Sequence, residues 1–167
     1  MSGILLRALE PEDLDILYRI ENNHELWNVG VSNVPYSRFV LRQYLANNSG
    51  DIYTDGQVRL MIEDAEGHVV GIADLVNFDP RHQRAEVGIV IAAPYRRQGF
   101  AFEALRQLAE YARRVVHLHQ LYAIVDSSNS PSMALFTKAG YEKTAEMSDW
   151  LFDGHSYRSA SLLQKLL

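Results

Sequence analysis

Two adjacent arginines and a glycine, in the run Arg96-Arg97-Gln98-Gly99-Phe100-Ala101, have the types and spacing to hold an anion. They follow an apolar stretch, Ala85-Glu86-Val87-Gly88-Ile89-Val90-Ile91-Ala92, and a turn at Ala93-Pro94-Tyr95. The apolar stretch is short, rich in Val and Ile, and bounded by proline, which predicts a buried strand. Beyond the turn the period changes. Leu105, Leu108, Ala109 and Ala112 fall on one stripe of a helix, with Arg106, Gln107, Glu110, Arg113 and Arg114 on the other side. A helix that starts between Arg97 and Phe100 leaves several backbone N–H groups without intrahelical acceptors. With the positive end of the helix dipole and the two arginines, they form a site for a phosphate or pyrophosphate. Gly99 allows a ligand to approach the backbone closely, and Ala101 is the next smallest choice. The plainer alternative is a pair of surface arginines ahead of an ordinary helix.

The elements around this unit follow from pattern and punctuation. Ile4 to Ala8 is a short first strand, and Glu10-Pro11-Glu12-Asp13-Leu14 opens a helix that Asn22-Asn23-His24 ends. Glu25 to Tyr36 is irregular, and Ser37 caps a second helix running up to Asn47-Asn48-Ser49-Gly50. Asp51 to Gly56 reads as a polar loop. Val58 to Glu63 and His68 to Val76 form a hairpin about Asp64-Ala65-Glu66-Gly67, with Gly71 marking a bulge or a close backbone approach. Asn77 to Gln83 is a second turn, so three antiparallel strands precede the strand before Pro94. After the long helix come a buried strand, Leu121 to Val125, and a short helix capped within Asp126 to Pro131. A final strand pair closes about Phe152-Asp153-Gly154-His155.

A chain of 167 residues, 47% hydrophobic, has the size of one domain with a proper core, here 1–167. It contains no cysteine, which excludes disulfides, thiolate metal ligands and a cysteinyl nucleophile. The first residues lack a basic segment followed by a long apolar run, and no stretch approaches 18 apolar residues, so a soluble cytoplasmic chain with no membrane partner is expected. A formal charge of −5 disfavours nucleic acid and tilts toward cationic partners. No Gly-x-Ser-x-Gly elbow or Gly-Lys-Ser/Thr phosphate loop occurs. His117-Leu118-His119 would put two histidines on one strand face, but with no third ligand evident no metal site is expected.

Arg96-x-x-Gly99-x-Ala101 after a strand resembles the coenzyme A pyrophosphate motif, Arg/Gln-x-x-Gly-x-Gly/Ala, of the GNAT superfamily of N-acyltransferases. Asn129-x-x-Ser132-x-x-Leu135-Phe136-x-Lys138-x-Gly140-Tyr141 resembles a second segment of that family, Asn-x-x-Ser-x-x-Leu-Tyr-x-Lys-x-Gly-Phe. Within the superfamily the chain is most similar to spermidine N-acetyltransferases, with ribosomal-protein N-terminal acetyltransferases next, through the stretches Arg84 to Gly88, His117 to His119 and Trp150 to Gly154. The resemblance implies a mixed α/β fold: a mostly antiparallel twisted sheet, splayed parallel central strands and flanking helices. It also implies transfer of an acetyl group from acetyl-CoA to a primary amine, polyamine-like acceptors being favoured, and leaves homo-oligomers open. The alternatives are a protein N-terminal acetyltransferase and a non-catalytic acetyl-CoA sensor.

By the same resemblance, Glu86 deprotonates the amine, the alternative being a strand-end charge in solvent. An amine with a pKa of about 10.4 is neutral in roughly one molecule per few thousand at pH 7, so a base or a desolvating pocket is required. Main-chain groups of Ile89, Val90 and Ile91 pair with the pantetheine arm and polarise the acetyl carbonyl. Arg96, Arg97, Gln98, Gly99, Phe100 and Ala101 take the pyrophosphate, and Asn129 and Ser132 contact the cofactor, although Asn129 also reads as an Asx-turn. Phe136 departs from the pattern. Tyrosine at its position protonates the departing thiolate in family members, and phenylalanine has no proton to give. The segment Trp27 to Val34, between the two helices expected to cover the acceptor site, also departs, because it lacks the acids that suit a polycation. Asp51, Asp55 and Asp74 remain available to an amine, or are simply solvated loop acids.

Overall fold

The computed structural model describes residues 3–23 and 35–167. The expected end of the first helix at His24 and the acid-free segment from Trp27 to Val34 therefore lie outside the described residues. Seven strands form one sheet in the order β1-β2-β3-β4-β5-β7-β6: β1 (Ile4–Ala8), β2 (Val58–Asp64), β3 (Val69–Asp79), β4 (Arg84–Ile91), β5 (Gln120–Asp126), β6 (Glu142–Phe152) and β7 (Tyr157–Leu166). Each pairing is antiparallel except that of β4 with β5.

Helices cover both faces. α4 (Phe100–Arg114) lays its stripe of Ala104, Leu105, Leu108, Ala109 and Ala112 onto the main core, where Ile62, Ala73, Leu75, Ala85, Val87 and Leu121 point from the strands. The alternation of strand side chains sends the intervening residues to the opposite face. There Met61 and Ile72 form a second, smaller core with Leu17 of α1 (Leu14–Glu21) and Leu41 of α2 (Arg38–Asn47). α1 begins as a single 3₁₀ turn, Pro11–Asp13, in which Asp13 accepts from the Glu10 N–H. Asp13 is also clamped by Arg7 of β1 at 2.8 and 2.9 Å. The hydrogen bond from Arg7 holds the Asp13 carboxyl below its ordinary range against the opposing effect of burial.

Four expectations need correction. Asp51 to Gly56 is not a loop but one turn of helix, α3 (Ile52–Asp55): the Asp51 carboxylate caps the Tyr53 N–H, Ile52 is buried beneath, and Gly56 at φ +70° stops it. β3 runs beyond Val76 to Asp79, crossing an irregularity where Asn77 takes φ +49°. Asp74, grouped with possible loop acids, lies in the middle of that strand. His117 and His119 share no strand face, because His117 turns the chain at φ +60° before β5 begins at Gln120. The short helix after β5 is α5 (Ser130–Lys138).

Gly71 shows both features expected of it. It stands at the register shift of the β2–β3 hairpin, and a Cβ there would lie 2.1 Å from the Val90 carbonyl oxygen of the neighbouring strand. Gly71→Ala must push β3 from β4 at the strand that carries the site. Urea denaturation is expected to show a loss of about 1–3 kcal/mol, the usual cost of overpacking; an unchanged midpoint would mean that the strands are not held this closely.

Candidate active site

β4 and β5 pair only at Arg84 with Gln120, Ala85 with Leu121 and Glu86 with Tyr122. Beyond these pairs β5 stays with β7, to which it is laddered along its whole length, while β4 stays with β3. A wedge opens between them. On its β3 side β4 remains satisfied, and the bond from the Ala92 N–H to the Val70 carbonyl, 2.8 Å, fixes the alternation of the ladder. Residues 86, 88, 90 and 92 direct their main-chain groups at β3, so those of Val87, Ile89 and Ile91 face the wedge. Of the three consecutive residues expected to contact the donor arm, Ile89 thus turns both its donor and its acceptor, and Ile91 its N–H, to the wedge without a strand partner among the described residues, whereas the main-chain groups of Val90 face β3.

A 3₁₀ turn, Ala93–Tyr95, carries the chain from the end of β4 to α4. Arg96 donates from Nε to the Ile91 carbonyl at 3.0 Å, fastening the turn to the strand on the wedge side. Its terminal nitrogens make no hydrogen bond among the described residues. Arg97 at φ +62° and Gly99 at φ +84° are both left-handed. The helix begins at Phe100 with Gly99 as N-cap, and its first main-chain bond runs from the Glu103 N–H to the Gly99 carbonyl. The N–H groups of Phe100, Ala101 and Phe102 consequently have no intrahelical acceptor. The left-handed conformation at 99 is thus one that favours glycine, apart from the close approach expected of a ligand there. Gln98 is exposed and donates to the Pro94 carbonyl.

Glu86 occupies the last paired position before the wedge, half-buried, with Oε1 accepting from Asn77 Nδ2 at 3.1 Å. It lies on the α1–α2 face of the sheet, opposite to α4. Burial raises the pKa of Tyr122, and the adjoining charge of Glu86 adds to it. Two residues on, Gly88 has no side chain, and the Asp74 carboxylate of β3 leans over it: a Cβ on Gly88 would meet Asp74 Oδ2 at 3.3 Å. Asp74 is bonded through Oδ1 to Arg59 Nε at 2.9 Å, and Arg59 is also paired with Glu21 of α1. Next to this group a cavity of about 320 Å³ opens beneath α2, lined by Tyr44, Asn47, Asn48, Asp55, Gln57 and Arg59.

On the far wall of the wedge, Asn129 caps α5, its Oδ1 accepting from the Ser132 N–H at 3.2 Å. The capping reading therefore holds, and Nδ2 makes no hydrogen bond among the described residues. Phe136 is 4% exposed and packs edge-on against Tyr141 with ring centroids 5.0 Å apart. Sequence reasoning had no signal for Arg59, which belongs to no motif, and although Gly88 ends the stretch Arg84 to Gly88, only the register brings it beside Asp74.

The arrangement can seat an extended chain of amides against β4, hold an anion at the start of α4, and present a carboxylate to a cation arriving from the α1–α2 face. A family model described as an acetyltransferase (GNAT) domain matches residues 4–142. The chain belongs to the GNAT acetyltransferase family. The spermidine N(1)-acetyltransferase of Escherichia coli (strain K12) is 30% identical over 158 residues, which are 95% of this chain and 83% of that protein. A crystal structure of spermidine N-acetyltransferase from Vibrio cholerae in complex with CoA and spermine shares the fold with a TM-score of 0.87 at 24% identity, covering 98% of this chain and 95% of that one. A dodecameric structure of the Vibrio cholerae enzyme matches with a TM-score of 0.80 at 26% identity over 98% of this chain and 93% of its own. As a GNAT acetyltransferase the chain is a transferase that draws on acetyl-CoA.

The start of α4 yields a direct expectation for affinity. Arg96→Ala should weaken acetyl-CoA by roughly 1–3 kcal/mol, as a lost charge-assisted contact, and Gly99→Val should weaken it further by distorting the left-handed cap. Calorimetric titration checks both. Unchanged affinity in the two variants would remove the anion from this turn.

Proposed function

We propose that this protein transfers the acetyl group of acetyl-CoA to a primary amine of a polyamine. The observation that carries this reading is the position of Glu86, a carboxylate at the point where β4 and β5 part, on the face open to an acceptor. The spermidine N-acetyltransferases to which the chain is similar support the choice of acceptor. Acetyl-CoA supplies a thioester, whose carbonyl carbon accepts the amine.

In this reading the pyrophosphate lies on the N–H groups of Phe100, Ala101 and Phe102, with Arg96 and Arg97 beside it and Gln98 in the same turn. The pantetheine arm runs along β4 as an added strand and takes the wedge-facing groups of Ile89 and the N–H of Ile91, with the Val90 side chain between them on the acceptor face. Asn129, through its free Nδ2, and Ser132 contact the donor from the side of α5. Donors fixed in this way face the carbonyl oxygen as it gains charge, commonly a large contribution to rate. Glu86 takes the ammonium proton, directly or through water, with Asn77 orienting the carboxylate. No tyrosine stands at position 136. A thiol with a pKa of about 8.5 is a tolerable leaving group, so departure does not require an acid there.

The dodecameric relative supports an assembly of several copies. No helix among the described residues is long and apolar enough to cross a membrane.

Thiol release measured with spermidine, diamines, aminoglycosides, amino acids and N-terminal peptides tests the acceptor: polyamines should head the series, and turnover confined to peptides would overturn the assignment. Glu86→Gln should lower kcat/KM by about 10²- to 10⁴-fold near neutrality, the usual range for general-base catalysis, with the deficit shrinking as pH nears the amine pKa of about 10. A loss of equal size at every pH would assign Glu86 to binding or packing instead.

A further inference from the structure

Arg59, Asp74 and Glu21 form a charged group at the edge of the smaller core, each with a side chain less than a quarter exposed. One guanidinium stands between two carboxylates, so the group carries a net negative charge. Burial alone would lower the pKa of Arg59, but Asp74 and Glu21 outweigh it and keep the guanidinium charged. Asp74 is pushed the other way: burial raises its pKa more than Arg59 lowers it, and Glu21 adds to the rise. Tyr44, half-buried above Arg59, and Asp55, across the cavity, bring no positive charge to the group.

The two oxygens of Asp74 differ. Oδ1 accepts from Arg59 Nε at 2.9 Å, whereas Oδ2 is 3.5 Å from Arg59 Nη2 and lies over the bare backbone of Gly88. Asp74 is the cross-strand partner of Gly88, and Glu86 is two residues from Gly88 on the same face. Diagonal neighbours in an antiparallel pair are about 7–8 Å apart. Two carboxylates on diagonal neighbours of one face, with no side chain between them at Gly88, suit two nitrogens joined by a short methylene chain.

We propose that Asp74, held by Arg59, anchors the second ammonium of the acceptor beside the nitrogen facing Glu86, and so selects diamines and polyamines over monoamines. The proposal rests on the reading of the protein as a polyamine acetyltransferase and names the residue that makes the choice. A monoamine of equal length would reach Glu86 but leave the Asp74 group uncompensated. The cavity under α2 gives the remainder of a longer acceptor a polar place to lie, next to Asp55.

The test compares kcat/KM for spermidine, 1,4-diaminobutane and butylamine in the wild type, Asp74→Asn and Asp74→Glu. Asparagine keeps the shape and a bond to Arg59 while removing the charge. The ratio of spermidine to butylamine should fall ten-fold or more in Asp74→Asn, chiefly through KM, and stay high in Asp74→Glu, which keeps the charge but, with a carboxylate one methylene further out, should shift the ratio of spermidine to 1,4-diaminobutane. An unchanged ratio, whether both substrates weaken together or neither does, overturns the selector and leaves the polyamine reading standing. Failure of the wild type to acetylate spermidine or 1,4-diaminobutane overturns both. If Asp74→Asn does not fold, Asp74→Glu carries the test against the wild type: a shift of optimum between spermidine and 1,4-diaminobutane supports contact with the second nitrogen, and an identical series contradicts it.

Discussion

A strand in the middle of a sheet with one edge unpaired is the condition on which this site depends. Main-chain donors and acceptors buried without partners are costly, and nearly all such groups in folded proteins are paired. β4 meets this rule along β3 and breaks it along β5, since the parallel ladder stops at Glu86 and Tyr122. The wedge-facing N–H and carbonyl of Ile89 and the N–H of Ile91, whose carbonyl is taken by Arg96, are therefore a standing demand for a strand-like ligand. The sheet keeps the gap open by tying each side elsewhere: β5 to β7 throughout, and β4 to β3 through the close contact at Gly71.

The rest of the site is arranged about that gap. At one end the turn after β4 is drawn in by the bond from Arg96 to the Ile91 carbonyl, so the first N–H groups of α4 lie at the end of the same free edge. At the other end Glu86 marks where the ladder fails. α4 and its core pack on one face of the sheet beside the wedge, while on the other, among the described residues, α1 and α2 pack over Met61 and Ile72, with the charged residues Arg59, Asp74 and Glu21 at the edge of that core. A donor laid along β4 and an acceptor arriving from the α1–α2 face would meet at Gly88.

Much of this was legible in the sequence because local signals coincide with the global fold. The switch from a Val/Ile run to a helical period across Pro94, with Gly99 at the join, identifies strand, turn and helix, and the buried stripe Leu105, Leu108, Ala109 and Ala112 is the one observed. Asn129, Ser130 and Pro131 likewise announce the start of α5. Register, by contrast, is not written in either strand alone. Nothing in Gly71-Ile72-Ala73-Asp74 says that Asp74 will face Gly88 and Arg59, and an acid followed by an apolar pair resembles many loop ends. Asp51 to Gly56 misled because a polar stretch ending in glycine fits a loop and a single capped helical turn equally well. Nor does the run Ile89 to Ile91 reveal which of its residues spends its main chain on β3.

Residue-resolved amide hydrogen exchange, with and without acetyl-CoA, reads the free edge of β4 most directly. The N–H groups of Ile89 and Ile91 should exchange at least about ten-fold more slowly once the donor is bound, as expected when an open strand edge gains a partner. Those of Gly88 and Val90, already paired with β3, should change little. Saturation with acetyl-CoA that leaves Ile89 and Ile91 exchanging at their original rates would contradict the account.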